Sequence, residues 1–157
     1  MREGIGTKKK RRWLTWTWRT ERALFILVLL SASVAHSQNF LRIPLYIHQK
    51  EIWVEVAKTP EERDRGLMGR KRLNKDGGRF FIVETEGYHG FWMKDTVIPL
   101  SIAFIDKDGR IVSITDMRPQ TLDSHVPPKP IVYALEMNKG WFSSHGVKAG
   151  DVVRFSK

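Results

Sequence analysis

The sequence predicts a β-rich α+β domain built on a small mixed or antiparallel sheet or a partly closed barrel. Three observations lead there. Apolar residues alternate with a period of two in several short runs. Turn signals separate those runs at short spacing. The long strand–helix alternation of a doubly wound parallel sheet is missing. One short helix is expected over about 60–68 and one helical turn over about 140–145.

The first alternation places Leu41, Ile43, Leu45 and Ile47 between Arg42, Pro44, Tyr46 and His48. The second places Ile52, Val54 and Val56 between Glu51, Trp53 and Glu55. A hairpin turning at Gln49-Lys50 would set Ile47 opposite Ile52 and Leu45 opposite Val54, burying one face. Pro44 has no backbone donor and suits a sheet edge. Thr59-Pro60-Glu61-Glu62 then reads as a helix start. Thr59 is the N-cap, Pro60 holds the first helical position, and Glu62 completes a capping box. Gly69 is the expected stop.

Asp76-Gly77-Gly78 is a turn, and Arg79–Glu84 a buried strand. Gly87 and Gly90 bracket a dense run, Tyr88-His89-Gly90-Phe91-Trp92-Met93-Lys94-Asp95-Thr96, and are expected to supply backbone freedom there. Ile98–Asp106 is the clearest strand. The turn Asp106-Lys107-Asp108-Gly109 admits two registers. A three-residue loop with a left-handed Gly109 sets Phe104 opposite Val112 and Ile102 opposite Ile114, which separates apolar from polar side chains and is the expected pairing. Arg118–Pro130, with four prolines, is a loop. Ile131–Met137 and Val152–Phe155 are the closing strands, with the helical turn between them.

Composition narrows the function classes. The 157 residues suit one domain, and 41% hydrophobic with 28% charged residues fits a globular chain. The formal charge is +10, but residues 1–35 carry eight basic and two acidic side chains, a net +6 that leaves only +4 for the rest. A nucleic-acid partner is therefore not expected. The absence of cysteine excludes disulfides and thiolate metal sites. Lys8–Arg12 followed by the apolar stretch Ala23–Val34 reads as a signal peptide, because a dozen apolar residues are short for a membrane span of roughly 20. Cleavage sites are Ser33-Val34-Ala35 and Ala35-His36-Ser37. An uncleaved membrane anchor is the alternative, and Arg11-Arg12 is a weak twin-arginine signal. The expected organisation is thus a leader over 1–37 and one globular domain over 38–157, exported to the periplasm or anchored at the membrane.

No nucleotide loop, HExxH, GxSxG or calcium-loop motif occurs. The expected ligand surface comprises Arg65, Arg70, Trp92, Lys94, Asp95 and Thr96, because cations, a carboxylate and aromatics concentrate there. The basic run Arg70-Lys71-Arg72 suits an anionic contact or a solvated surface. A hydrolase would use Asp95 as base with His89 or His125. A soft-metal (copper-like) site would draw on His89 and Met93. No cofactor is expected. The partner is a small molecule or an envelope component, with membrane contact through the N-terminal segment if it is retained.

Three ordered motifs carry a family resemblance: Val54–Arg70, Phe91–Leu100 and Gly146–Asp151. Together they resemble the domain-of-unknown-function 192 family, from about Ile43 to Phe155. The resemblance implies a small β-rich domain, often behind a signal peptide or anchor, with no established activity or cofactor. Two positions depart from the family's common form, Asp95 where Asn is frequent and Ser101 where Asp is frequent. Neither is therefore expected to be an obligatory catalytic carboxylate.

Overall fold

The computed structural model describes residues 40–156, so the leader expected over 1–37 lies outside the described residues. Seven strands form one sheet: β1 (Arg42–Ile47), β2 (Lys50–Ala57), β3 (Gly78–Gly87), β4 (Leu100–Ile105), β5 (Ile111–Met117), β6 (Ile131–Asn138) and β7 (Val153–Arg154). Their order is β5-β4-β6-β3-β2-β1-β7. The sheet curls into a half-barrel whose edges approach through an Arg110–Val152 bridge, with Ile111 N–H donating to Asp151 O at 2.8 Å. All pairs are antiparallel except β2–β3, which are joined by helix α1 (Pro60–Arg65). The expected β-rich α+β class is the one observed.

Both faces of the sheet are covered. One face packs Leu45, Ile52, Phe80, Leu135 and Val153 beneath helix α2 (Trp141–Ser144), which contributes Trp141 and Phe142. This is the α2 face. The other packs Ala57, Phe81, Ile102, Phe104 and Ala134 beneath Leu67, Met93 and Ile98 from the connections. This is the loop face, and it carries the site.

Helix α1 starts as expected. Thr59 Oγ1 accepts from Glu62 N–H at 3.2 Å, and Glu62 Oε2 accepts from Thr59 N–H at 3.0 Å. These backbone bonds, first Thr59 and then Lys58, hold the Glu62 carboxyl below its ordinary pKa. The helix stops three residues earlier than Gly69. Gly66 takes φ +45, a conformation that ends the helix and passes the chain across the Phe81 ring.

Two hairpin registers differ from expectation. In β1–β2, Leu45 faces Ile52 and Ile43 faces Val54, a shift of two residues. The turn is His48-Gln49, with His48 at φ +54. A two-residue shift preserves which face each side chain occupies, so alternation could not reveal it. Pro44 sits in β1 between two partners, yet β7 reaches only Tyr46 and Ile47, leaving Pro44 on an unpaired stretch of that side.

In β4–β5 the loop is as expected. Gly109 takes φ +79, and Asp106 Oδ1 accepts from Asp108 N–H at 3.0 Å and Arg110 N–H at 2.8 Å. The pairing beyond it is not: Phe104 faces Ser113 and Ile102 faces Thr115. A bulge between Ile105 and Phe104 displaces one residue of β5. Every residue of β4 is buried, on both faces, so separating apolar from polar partners was no guide to its register.

Ser101 explains how this corner is tied. It is buried, its Oγ donates to Asp116 Oδ1 at 2.6 Å, and the same oxygen accepts from Gly140 N–H at 2.9 Å. β4, β5 and the start of α2 therefore meet on one hydroxyl. Ser101→Ala is expected to cost about 1–3 kcal/mol in urea unfolding, because the Gly140 N–H loses its acceptor. An unchanged midpoint would contradict this role.

Candidate functional site

The site begins where α1 ends. Gly66 turns the chain over Phe81, and Gly69 N–H then donates to Asp95 O at 2.9 Å, linking the helix exit to the segment 88–99. That segment has little regular structure but is well anchored. Phe91 exchanges both backbone hydrogen bonds with His125, at 3.0 and 2.8 Å. Met93 N–H donates to Thr121 O and Gln120 N–H to Thr96 O, both at 3.1 Å. The Phe91 ring meets Phe81 and Phe104 edge-on, with centroids 5.1 and 5.8 Å away. Each such pair adds about 0.5–1.5 kcal/mol beyond its buried area. The loop is thus a rigid wall rather than a loose strap.

Between this wall and α1 lies a cleft of about 580 Å3. Phe81 and Val83 of β3 form its floor, with Leu67 and Met68 beside them. The 88–99 wall contributes His89, Gly90, Phe91, Trp92 and Thr96. Arg63 and Asp64 line the helix side, and Leu122 and Ser124 the opposite lip. Trp92 and Leu122 are exposed, so apolar surface continues to the mouth. Neither Gly87 nor Gly90 has a positive φ. Gly90 instead permits close approach, since a Cβ there would collide with Ser124 Oγ.

The polar groups differ in how far they are committed. Arg63 is held by the backbone oxygens of Lys58 and Ile82 and lies 3.5 Å from Glu84. His89 Nε2 lies 2.8 Å from Thr85 O and therefore carries the proton on that nitrogen. Thr96 is buried, and its hydroxyl donates to Lys94 O at 3.1 Å. The Ser124 hydroxyl makes no side-chain hydrogen bond among the described residues.

Of the six residues expected to form a ligand surface, the structure brings Trp92 and Thr96 to the cleft. Lys94 stands 5.7 Å from the Trp92 ring centroid, outside the lining. Asp95 is exposed at φ +51 and uses its backbone oxygen to hold Gly69. Arg65 is exposed at the end of α1 and does not line the cleft. Arg70 belongs to a different cluster, with its Nη2 2.5 Å from Glu55 Oε2. Asp95 makes no ion pair or hydrogen bond with His89 or His125 among the described residues. Met93 is wholly buried and does not line the cleft with His89. Among the described residues no group of three or more His, Asp or Glu is arranged to hold a metal.

Sequence reasoning missed Arg63, Asp64, Leu122 and Ser124. Leu122 and Ser124 lie in a proline-rich loop far along the chain, and only the Phe91–His125 bridge brings them across.

Fold and cleft together define a small, single-domain β half-barrel with a preformed pocket on one face of the sheet. The chain belongs to the domain-of-unknown-function 192 family, described as an uncharacterized ACR, whose model matches residues 44–155. Two solved structures are similar. One is a proposed transcription regulator from Sinorhizobium meliloti 1021, 29% identical, with a TM-score of 0.71 over 74% of this chain and 95% of that one. The other is a protein of unknown function from Novosphingobium aromaticivorans DSM 12444, also 29% identical with a TM-score of 0.71, over 78% of this chain and 91% of that one. Among curated proteins nothing matches the chain.

Proposed function

We propose that this domain works after export, as a small-ligand-binding module of the cell envelope whose binding site is the cleft beside Phe91 and Trp92. The observation that carries the reading is the cleft itself. Its volume of about 580 Å3 falls in the range of small-molecule sites, roughly 300–1,000 Å3. It has the expected make-up of such sites too, an apolar and aromatic floor with a few polar groups at the edge. The ligand is a compact organic molecule whose apolar body lies along Phe81, Phe91 and Trp92. Its polar end meets Ser124 and the Arg63–Asp64 side. Export is supported by the basic run, the apolar stretch and the small-residue cleavage sites of the first 37 residues. Hydrolysis by Asp95 with a histidine, and a His89–Met93 metal site, are less well supported, since neither pair lines the cleft together.

The binding reading is tested by amide NMR titration of the full chain with a panel of monosaccharides and small aromatic acids. Saturable shifts should gather at Phe91, Trp92, Thr96 and Ser124, and should vanish in Ser124→Trp, which fills the cleft. Shifts scattered over the surface, or unaffected by that variant, would overturn it. Export is tested by N-terminal sequencing of the protein from fractionated cells. A periplasmic chain beginning at His36 or Gln38 is expected if the leader is cleaved, and a membrane-bound chain beginning at Met1 if it is kept. Recovery of the uncut chain from the soluble cytoplasm would contradict both.

A further inference from the structure

The loop face holds a second polar cluster, separate from the cleft lining. Glu55 of β2, Arg79 of β3 and Glu136 of β6 stand in one register row across three adjacent strands. Arg79 is only 1% exposed. Its Nη2 donates to Glu55 Oε2 at 3.1 Å, and Arg70 Nη2 uses that same oxygen. One carboxylate oxygen therefore serves two guanidiniums. Nε and Nη1, the other two nitrogens of Arg79, are buried without any hydrogen-bond partner among the described residues. Buried donors in native proteins are nearly always paired, so two on one cation point to an absent acceptor. Glu136 does not supply it: among the described residues it makes no ion pair with Arg79, and burial pushes its carboxyl up to about 8, towards the neutral form.

The cover over this cation is slight. The Phe40 ring, half-buried, lies over the Arg79 guanidinium with its centroid 3.8 Å from Cζ. Alongside is a pocket of about 200 Å3 lined by Arg42, Glu55, Arg70 and Arg72. Arg70 and Arg79 share one Glu55 oxygen, while Arg42, whose Nη2 donates to Trp53 O, and Arg72 line the same pocket, an excess of cations that suits a dianion better than a single carboxylate. Arginine is also the side chain best matched to phosphate oxygens.

We propose that Arg79, Arg70 and the arginines of the adjoining pocket form a phosphate-binding site, with Phe40 as its displaceable cover. The phosphate group enters through the pocket, displaces the ring, and accepts from the unpaired Arg79 nitrogens and from Arg70. The site is independent of the cleft, so filling the cleft by Ser124→Trp leaves it intact.

The test is a titration of the full chain in non-ionic detergent with inorganic phosphate at constant ionic strength, following the arginine Nε–H resonances. A saturable shift at Arg79 is expected. Phe40→Ala should tighten binding about three- to tenfold, because the competing ring contact is gone. Arg70→Gln, at a half-exposed position and with Glu55 still paired to Arg79, should weaken it about tenfold. Sedimentation with phosphatidic acid vesicles, whose headgroup is a phosphate monoester, separates the sources of the phosphate. Vesicle binding that is weakened by Arg70→Gln, beyond what the N-terminal segment alone supports, identifies a lipid headgroup, and inorganic phosphate binding with vesicle binding unchanged by Arg70→Gln identifies a soluble ligand. No saturable shift at Arg79 in either the wild type or Phe40→Ala would overturn the proposal. So would phosphate affinities unchanged by Arg70→Gln.

Discussion

Gly78→Ala is expected to lower the unfolding free energy by about 3 kcal/mol, at the upper end of the range for overpacking a filled interior. Gly78 begins β3 opposite Met137 of β6. A Cβ there would collide with Met137 Sδ and lie 2.6 Å from the Glu136 carbonyl oxygen. The methionine side chain can move, but the carbonyl belongs to the ladder that joins β3 to β6 at the middle of the sheet. Relief therefore requires separating two central strands. Urea unfolding of the wild type and variant measures this directly. A loss below about 0.5 kcal/mol would mean that the two strands do not approach as described.

Glu136→Gln should stabilise the protein increasingly as pH rises. Burial raises the Glu136 carboxyl from 4.5 to about 8, an effect that the nearby Arg79 charge only partly opposes. In the folded chain the group keeps its proton at pH values where the unfolded chain has lost it. Its contribution to stability is fully present below about pH 4.5 and is lost as pH rises towards 8. The slope is about 1.4 kcal/mol per pH unit over that window, flattening above it. Glutamine resembles the protonated acid and does not titrate. The difference between variant and wild type should therefore be small at pH 4 and reach a few kcal/mol by pH 8. A difference that stays flat across this range would show that Glu136 is not the buried neutral acid described.

Much of the fold was legible because its signals are local. The Thr59–Glu62 capping box, the left-handed Gly109 and the strand periodicities each depend on a few neighbouring residues, and each formed as expected. The errors arose where a choice left the local pattern unchanged. Moving the β1–β2 turn by two residues keeps Leu45 and Ile52 on the buried side, so the alternation fits either register. The β5 bulge escaped notice because β4 is buried on both faces and accepts partners of either kind. Helix α1 ended early for a tertiary reason, the passage of Gly66 over Phe81.

The site was legible in its location more than in its membership. The density of aromatic and polar residues from Tyr88 to Thr96 correctly marked one wall. Asp95 and Lys94 were conspicuous in sequence, yet the first turns its side chain outward while its backbone holds Gly69. Arg70 was conspicuous as well, but its guanidinium is drawn to Glu55. Ser124 gave no signal, because its place follows from a backbone bridge between segments more than 30 residues apart. Arg79 and Glu136 did leave a trace, as charged residues inside otherwise apolar strand runs. Their burial became evident only when the sheet aligned them with Glu55.

The central claim, that the cleft beside Phe91 and Trp92 holds a small molecule, is tested most directly by what the protein carries. The full chain and its Ser124→Trp variant would be purified from their own envelope, denatured, and the released small molecules compared by mass spectrometry. The account predicts a compound released from the wild type in stoichiometric amount and absent from the variant. Identical profiles from the two proteins, with no compound enriched over background, would contradict it.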